Sequence, residues 1–365
     1  MDRIEVAVIG GGVVGLAAAC AISARGFSIC LFEKRHRLGL EASTHNSGVI
    51  HAGIYYPTSS LKAELCVEGR ERLYRFCREH NVPHARSGKL IVAESSSDVG
   101  RLEALVKQGR ENGVNDLEIV DTPHIRRLEP HVAGQAAIWS PSSGIVEAEA
   151  LVRTLVRQAT AHGVYTLPNT AIVSGTTSPD GVELTTSRER VQAAVVVNAA
   201  GLHADEVSAA IGGERFQIVP VRGEYAELVP AARHLVTRPV YPLPDPVSLN
   251  LGVHLTRTTW GSVTLGPTAG VVEDKTNYEG SRCTVEDFLE PARRLVPELT
   301  GSDLILGGSG IRATLTVDET FADFLIRPDA HLPNLIQAAG IDSPGLTSCL
   351  AIADRIATLV ETALR

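Results

Sequence analysis

Three glycines and one acid carry the clearest chemistry in this sequence. Gly10, Gly12 and Gly15 stand in the spacing Gly-x-Gly-x-x-Gly between the apolar run Val6–Ile9 and an alanine-rich segment, and a second apolar run ends at Glu33. In a strand–turn–helix–strand frame each has a separate task. Gly10 permits a tight turn, Gly12 lets the backbone approach a pyrophosphate, and Gly15 lets the helix pack closely on the sheet. The helix N-terminus then offers its unpaired N–H groups to phosphate oxygens. Glu33, at the end of the second strand, accepts hydrogen bonds from a ribose 2′-hydroxyl and repels a 2′-phosphate. The expected cofactor is therefore FAD or NAD, not NADP. The early start of the motif, followed at once by Glu33, Lys34 and Arg35, favours FAD.

The elements that hold these groups follow from hydrophobic periodicity. Leu61–His80 reads as an amphipathic helix, with Leu61, Leu65, Leu73 and Phe76 at helical intervals. Gly88–Ala93 reads as a strand, Val99–Asn112 as a helix closed by Gly113, and Ala148–His162 as a helix closed by Gly163. The continuous apolar run Val191–Ala200 suits a parallel strand buried on both faces, and so does Asn334–Gly340. Between them, Ile218–Leu228, Leu249–Thr256 and Gly261–Leu265 are short strands broken by Pro and Gly, the pattern of an antiparallel sheet. Helices over Thr284–Val296 and Leu346–Leu364 complete the chain. Parallel segments at the start, middle and end, with antiparallel ones between, require a chain that crosses between two domains more than once. The expected fold is α/β: a Rossmann-like nucleotide-binding domain (1–85, 141–213 and 305–365) with a discontinuous α+β substrate domain (86–140 and 214–304) built on a mainly antiparallel sheet.

Composition narrows the partners. At 365 residues the chain suits two domains. A net charge of −8 lacks the basic footprint that nucleic acid requires. The six cysteines include no Cys-x-x-Cys and no Cys/His cluster, so reduced thiols without zinc or disulfides are expected. The small apolar residues Val6–Ala24 mimic a secretory signal. Its positive segment would be only Arg3 beside Asp2 and Glu5, and cleavage would remove the glycine turn. They are read as part of the fold, with no integral membrane segment. The expected location is cytoplasmic, with peripheral contact at the inner membrane face left open.

The run Ser43-Thr-His-Asn-Ser-Gly-Val-Ile-His-Ala-Gly-Ile-Tyr-Tyr-Pro57 is dense in small, polar and aromatic residues. Here the chain resembles the D-amino-acid oxidase-like flavoproteins, and within them the L-2-hydroxyglutarate dehydrogenases/oxidases. The segments Ser60-Leu-Lys-Ala-Glu-Leu-Cys66, Gly88-Lys-Leu-Ile-Val92, Val219-Pro-Val-Arg-Gly-Glu-Tyr225, Leu251-Gly-Val-His254, Thr264-Leu-Gly-Pro-Thr268 and Gly310-Ile-Arg-Ala313 match as well. After Ala269 the chain is shorter than a typical member, and Gly340-Ile-Asp-Ser-Pro-Gly-Leu-Thr347 looks more like other members of the superfamily.

The resemblance implies FAD as cofactor and extends its contacts. Beyond the glycines and Glu33 they take in Val13, Val14 and Lys34, then Ser43, Thr44, His45, Asn46, Ser47, Gly48 and Val49 along the pyrophosphate and isoalloxazine. Val173, Ala200, Gly201, Gly310, Ile311, Gly340, Ile341, Asp342, Ser343, Gly345, Leu346 and Thr347 follow on the other side. In some relatives a histidine near position 45 is bonded to the flavin; the non-covalent form is expected here. The helix beginning near Leu346 would aim its N–H groups at the anionic edge of the reduced flavin. The resemblance also implies that His51 is the general base for the hydroxyl proton and that Arg312 clamps a carboxylate with its two-pronged guanidinium. His254 and Arg222 either contact the distal end of the substrate or satisfy the sheet edge, and Tyr55 and Tyr241 either line the cavity or pack the core.

The expected activity is oxidation of a small 2-hydroxy acid, L-2-hydroxyglutarate foremost, to the 2-oxo acid by hydride transfer to flavin N5. The electron acceptor, oxygen or a quinone, is not specified by any motif. An amino-acid or amine oxidase acting on glycine- or sarcosine-like substrates is the alternative within the superfamily, and a non-catalytic flavin-binding module is the alternative outside catalysis.

Overall fold

The computed structural model describes residues 2–244, 252–315 and 321–365. The chain forms two compact units: Met1–Thr44, Ala148–Pro220 and Arg312–Arg365 make the first, His45–Glu147 and Val221–Ile311 the second.

In the first unit the strand Asp2–Ile9 lies parallel between Ile29–Phe32 and Arg190–Asn198, with Ile9 opposite both Phe32 and Asn198. Tyr165–Leu167 extends the parallel sheet on one side and Leu335–Ala339 on the other. A hairpin, Ile172–Ser178 with Gly181–Thr186, adds antiparallel strands at the edge, and Leu325–Pro328 runs antiparallel along Leu335–Ala339. The inner strands are buried over Val6–Ile9, Ile29–Phe32 and Leu335–Ala339. Strands covered on both faces leave no face for polar residues, hence the unbroken apolar runs. The helix Val13–Ser23 packs against the helices Ala148–Ala161 and Gly345–Leu364, its Ala17, Ala18 and Ala19 permitting a close approach.

The second unit is built on a nine-stranded, mainly antiparallel sheet. Its order is Gly270–Val271, Val219–Leu228, Val263–Gly266, His254–Arg257, Val240–Pro242, Lys89–Ala93, Ala136–Ser140, Glu118–Asp121, with Leu304–Thr314 also on Val219–Leu228. Lys89–Ala93 and Val240–Pro242 form its parallel pair, Tyr241 opposite Ile91. A small sheet joins Val49–Ile50, Gly144–Val146 and His84–Ala85. The helix Leu61–His80 starts where the Ser60 hydroxyl accepts the Ala63 N–H at 3.1 Å and stops at Asn81 in the left-handed conformation.

The expected strands and helices form, most within two residues of their expected ends. Leu249–Thr256 is the exception, realised as His254–Arg257, and its residues 249–251 lie outside the described residues. The division between units differs more. The sequence places residues 45–85 and 141–147 with the nucleotide-binding part, whereas they join the second unit. Contacts to residues 86–140 explain this, because Asn112 donates to the Gly53 and Tyr56 carbonyls, Lys89 donates to the Tyr55 hydroxyl, and Ala52 and Ile54 pack with Ile91 and Ile138. The later boundaries move to 220/221 and 311/312 because Val219–Leu228 and Leu304–Thr314 spend most of their length in the antiparallel sheet.

Candidate active site

The nucleotide-binding turn of the first unit has the strain pattern that the glycines foretell. At Gly10, φ is +107°, and a Cβ there would sit 2.3 Å from the Ala199 carbonyl oxygen; at Gly15 it would sit 2.0 Å from the Gly10 carbonyl oxygen. Both glycines are required by backbone packing. Gly12 is different, since its Cβ would meet only the Ser43 Oγ, at 3.0 Å. Backbone packing does not require its bareness, which leaves room for a ligand. The helix Val13–Ser23 has no capping side chain at Gly12 and no acid in its first turn. Ser43 Oγ accepts the Val13 N–H at 2.8 Å, leaving the entry of this turn to an anion. Glu33 accepts the N–H groups of Gly11 (2.8 Å) and Arg35 (2.7 Å), and a carboxylate has lone pairs left for ribose hydroxyls. These residues fit the pyrophosphate and ribose of FAD. Lys34 is turned to an ion pair with Glu41 at 3.2 Å.

Other expected cofactor residues fall within the same unit. Ala200 and Gly201 follow the C-terminal end of the strand Arg190–Asn198, next to Ala199, whose N–H donates to the Ile9 carbonyl. Gly340, Ile341, Asp342 and Ser343 form the loop from Leu335–Ala339 into the helix Gly345–Leu364; Asp342 accepts the Thr314 hydroxyl at 3.3 Å, and its carbonyl accepts the Gly345 N–H at 2.6 Å. That helix also lacks a capping side chain, and Thr347 is buried in its first turn, next to half-buried Leu346. Val14, in the first turn of Val13–Ser23, is half-buried. Arg312 is half-buried near the end of Leu304–Thr314. Val173 departs from expectation: it is 58% exposed on an edge strand. Thr170, three residues earlier, reaches the acid instead, its N–H donating to the Glu33 carbonyl at 2.8 Å.

His45, Asn46, Ser47, Gly48 and Val49 open the second unit. Gly48 donates its N–H to the Asn46 side chain at 2.9 Å, and Val49 pairs with Ile145. His45 is exposed and stands 5.2 Å from the Tyr278 ring. Gly310 is bare because a Cβ there would sit 2.1 Å from the His45 carbonyl oxygen, with buried Ile311 next to it.

The second unit also gathers the reactive side chains. The backbone that carries His51 is gripped on both sides. Cys66 Sγ donates to the His51 carbonyl at 3.5 Å, and Arg70 donates to the Ala52 carbonyl at 3.0 Å. Asn112 donates to the carbonyls of Gly53 (3.0 Å) and Tyr56 (2.9 Å). Tyr55 is thereby held beside Lys89, whose Nζ donates to its hydroxyl at 3.3 Å and lies 4.7 Å from its ring centre. The same Nζ lies 4.5 Å from the ring of Tyr241, which in turn stacks on His254 at 3.8 Å between centres. His254 Nδ1 stands 3.1 Å from the Gly252 carbonyl oxygen. Burial, then the charges of Lys89 and His254, hold the His51 pKa well below the ordinary 6.5. His51 is therefore a neutral imidazole at physiological pH, the form that accepts a proton. Burial likewise lifts the Tyr55 hydroxyl well above 10 and pushes the Lys89 ammonium down to about 7.

Sequence reasoning missed Lys89. The signal was a single charge heading Lys89-Leu-Ile-Val-Ala93, a strand buried throughout. Alternation puts Lys89 on the face of Ile91 and Ala93, and those two pack in one core with Tyr241, Ala52 and Ile54.

Arg222, a candidate for the distal end of the substrate, is committed elsewhere. Its guanidinium donates to Glu224 (2.9 Å), Ser281 (3.0 Å) and Asn277 (3.3 Å), and Glu224 also pairs with Arg282 at 2.7 Å. Burial pushes the Glu224 carboxyl up, but Arg282, the Cys283 N–H and Arg222 together hold it below its ordinary value. This is a closed structural network. Among the described residues no cluster of His, Cys, Asp or Glu is arranged to hold a metal ion.

Residues 5–359 match the profile of DAO, the FAD dependent oxidoreductases. A protein of Caenorhabditis elegans named L-2-hydroxyglutarate dehydrogenase, mitochondrial, is 34% identical, with 98% of this chain and 93% of the relative covered. The L-2-hydroxyglutarate dehydrogenase of Indibacter alkaliphilus is 31% identical, with 99% of each covered. A solved L-alpha-glycerophosphate oxidase from Mycoplasma pneumoniae with FAD bound superposes with a TM-score of 0.91 at 25% identity, over 99% of this chain and 95% of that one.

Proposed function

We propose, from the premise that the chain belongs to the DAO family of FAD dependent oxidoreductases, that it oxidises L-2-hydroxyglutarate to the 2-oxo acid. The cofactor is FAD, which the glycine turn and Glu33 fit, and when bound it supplies the acceptor for the hydride on the substrate's C2. The observation that carries the reading is His51: an imidazole kept neutral by burial, on a backbone fixed by Cys66 and Arg70. Removing hydride from an alcohol carbon leaves a hydroxyl proton that needs a base, and His51 takes it. Arg312 holds the carboxylate beside that carbon in a two-pronged grip. The relatives' names supply the substrate's identity.

No helix among the described residues is long and apolar enough to cross a membrane. A cytoplasmic location is part of the reading, although the names of several relatives include the word mitochondrial. The test is anaerobic bleaching of the oxidised flavin. L-2-hydroxyglutarate should bleach it, while glycine and sarcosine should not. The opposite pattern would assign the chain to amine oxidation, and no bleaching by any hydroxy or amino acid would leave a flavin-binding module.

A further inference from the structure

A lysine in a protein interior keeps its charge fully only beside an anion. Lys89 is fully buried, and no Asp or Glu among the described residues pairs with it. Of its three N–H bonds, only the one toward the Tyr55 hydroxyl meets an acceptor among those residues. The rings of Tyr55 and Tyr241 face the ammonium at 4.7 and 4.5 Å. Such faces attract a cation, but neither carries the negative charge that neutralises a buried ammonium. A methionine would fill the same volume without burying a charge. The position therefore makes sense when an anion arrives. Polar groups surround it: a tyrosine hydroxyl, a histidine stacked on the second tyrosine, and His51, at which the charge of Lys89 is felt.

We infer that Lys89, framed by Tyr55, Tyr241 and His254, receives the second carboxylate of the substrate and so selects a dicarboxylic 2-hydroxy acid over a monocarboxylic one. The inference rests on the proposed reaction for the identity of the acid. Arg222, the other cation considered for this end, is occupied by Glu224 and two carbonyls.

The test compares FAD-loaded wild type with Lys89→Met and Lys89→Arg. Binding of glutarate and pentanoate, neither of which carries a hydroxyl to oxidise, is followed by titration calorimetry and flavin absorbance. Losing one charge-assisted contact weakens binding by about 10- to 100-fold. Lys89→Met should lose that much affinity for glutarate and less than about 3-fold for pentanoate. Lys89→Arg, which keeps the charge, should still prefer glutarate. Flavin reduction should follow the same pattern, with the preference for L-2-hydroxyglutarate over L-2-hydroxypentanoate collapsing in Lys89→Met. Equal losses for both acids, or a glutarate preference that survives in Lys89→Met, would overturn the assignment. A wild type that prefers glutarate yet is not reduced by L-2-hydroxyglutarate would overturn the proposed reaction and leave the anion site standing.

Discussion

Replacing Lys89 by methionine should make the ligand-free protein more stable, and by an amount that depends on pH. In water the ammonium loses its proton near 10.5; in its buried site it does so at about 7. Moving the charge between these settings costs about 1.4 kcal/mol per tenfold change in proton affinity, about 5 kcal/mol in all. The Tyr55 hydrogen bond and the two ring contacts are lost in the variant and return about 1–2 kcal/mol, so a net gain of about 3 kcal/mol is expected. The sign with pH is fixed. Below pH 7 both folded and unfolded lysine are charged, and the penalty is fully present. Between pH 7 and 10.5 the unfolded chain holds a proton that the folded one has released, so wild-type stability rises with pH relative to the variant. At about 1.4 kcal/mol per pH unit above 7, the gap should close near pH 9 and reverse by pH 10. Urea unfolding of both proteins at pH 6, 8 and 9.5, monitored by circular dichroism, measures it. A variant less stable than wild type at pH 6 would show that the lysine is held by favourable contacts and refute the reasoning.

His51→Gln should keep the flavin spectrum and slow anaerobic reduction by L-2-hydroxyglutarate about 10²–10⁴-fold. Because the His51 pKa lies well below 6.5, the wild-type rate should be flat above that pH and fall only in more acid solution, a limb that the variant lacks in stopped-flow profiles. Arg312→Lys keeps the charge but loses the fork, so carboxylate binding should weaken by about 1.5–3 kcal/mol by calorimetry while FAD stays bound. Gly12→Ala and Gly15→Ala should separate ligand from fold. The first meets only a rotatable hydroxyl and should release FAD, seen as lost yellow colour, with apoprotein melting near wild type. The second collides with the Gly10 carbonyl and should lower the melting temperature by an amount worth about 2 kcal/mol or more.

What the sequence made legible is what acts locally. The glycine turn, Glu33 and the buried parallel strands are written in neighbouring residues, because a tight turn, a helix terminus and a strand with two covered faces each constrain their own segment. Arg222 shows where that ends. Its partner Glu224 is two residues away on the same strand, but the carbonyls of Asn277 and Ser281 and the competing Arg282 come from more than fifty residues on. Only tertiary structure reveals that its charge is spent. Lys89 is the converse case, since its importance comes from Tyr241 on a strand about 150 residues later. The place of residues 45–85 was misjudged for a related reason: they follow the nucleotide-binding segment in the chain, but Lys89 and Asn112 tie them to the other unit.

The strand Lys89–Ala93 is buried on both faces, and those faces belong to different cores. Leu90 and Val92 pack with Leu228, Val240, Phe288 and Leu295, while Ile91 and Ala93 pack with Ala52, Ile54 and Tyr241. The strand is thus anchored by Leu90, Ile91, Val92 and Ala93, and in the inference drawn above its first residue is the one that meets the ligand. In that reading a substitution at position 89 changes the ligand contact and the packing against Tyr241 while Leu90, Ile91, Val92 and Ala93 stay in their two cores.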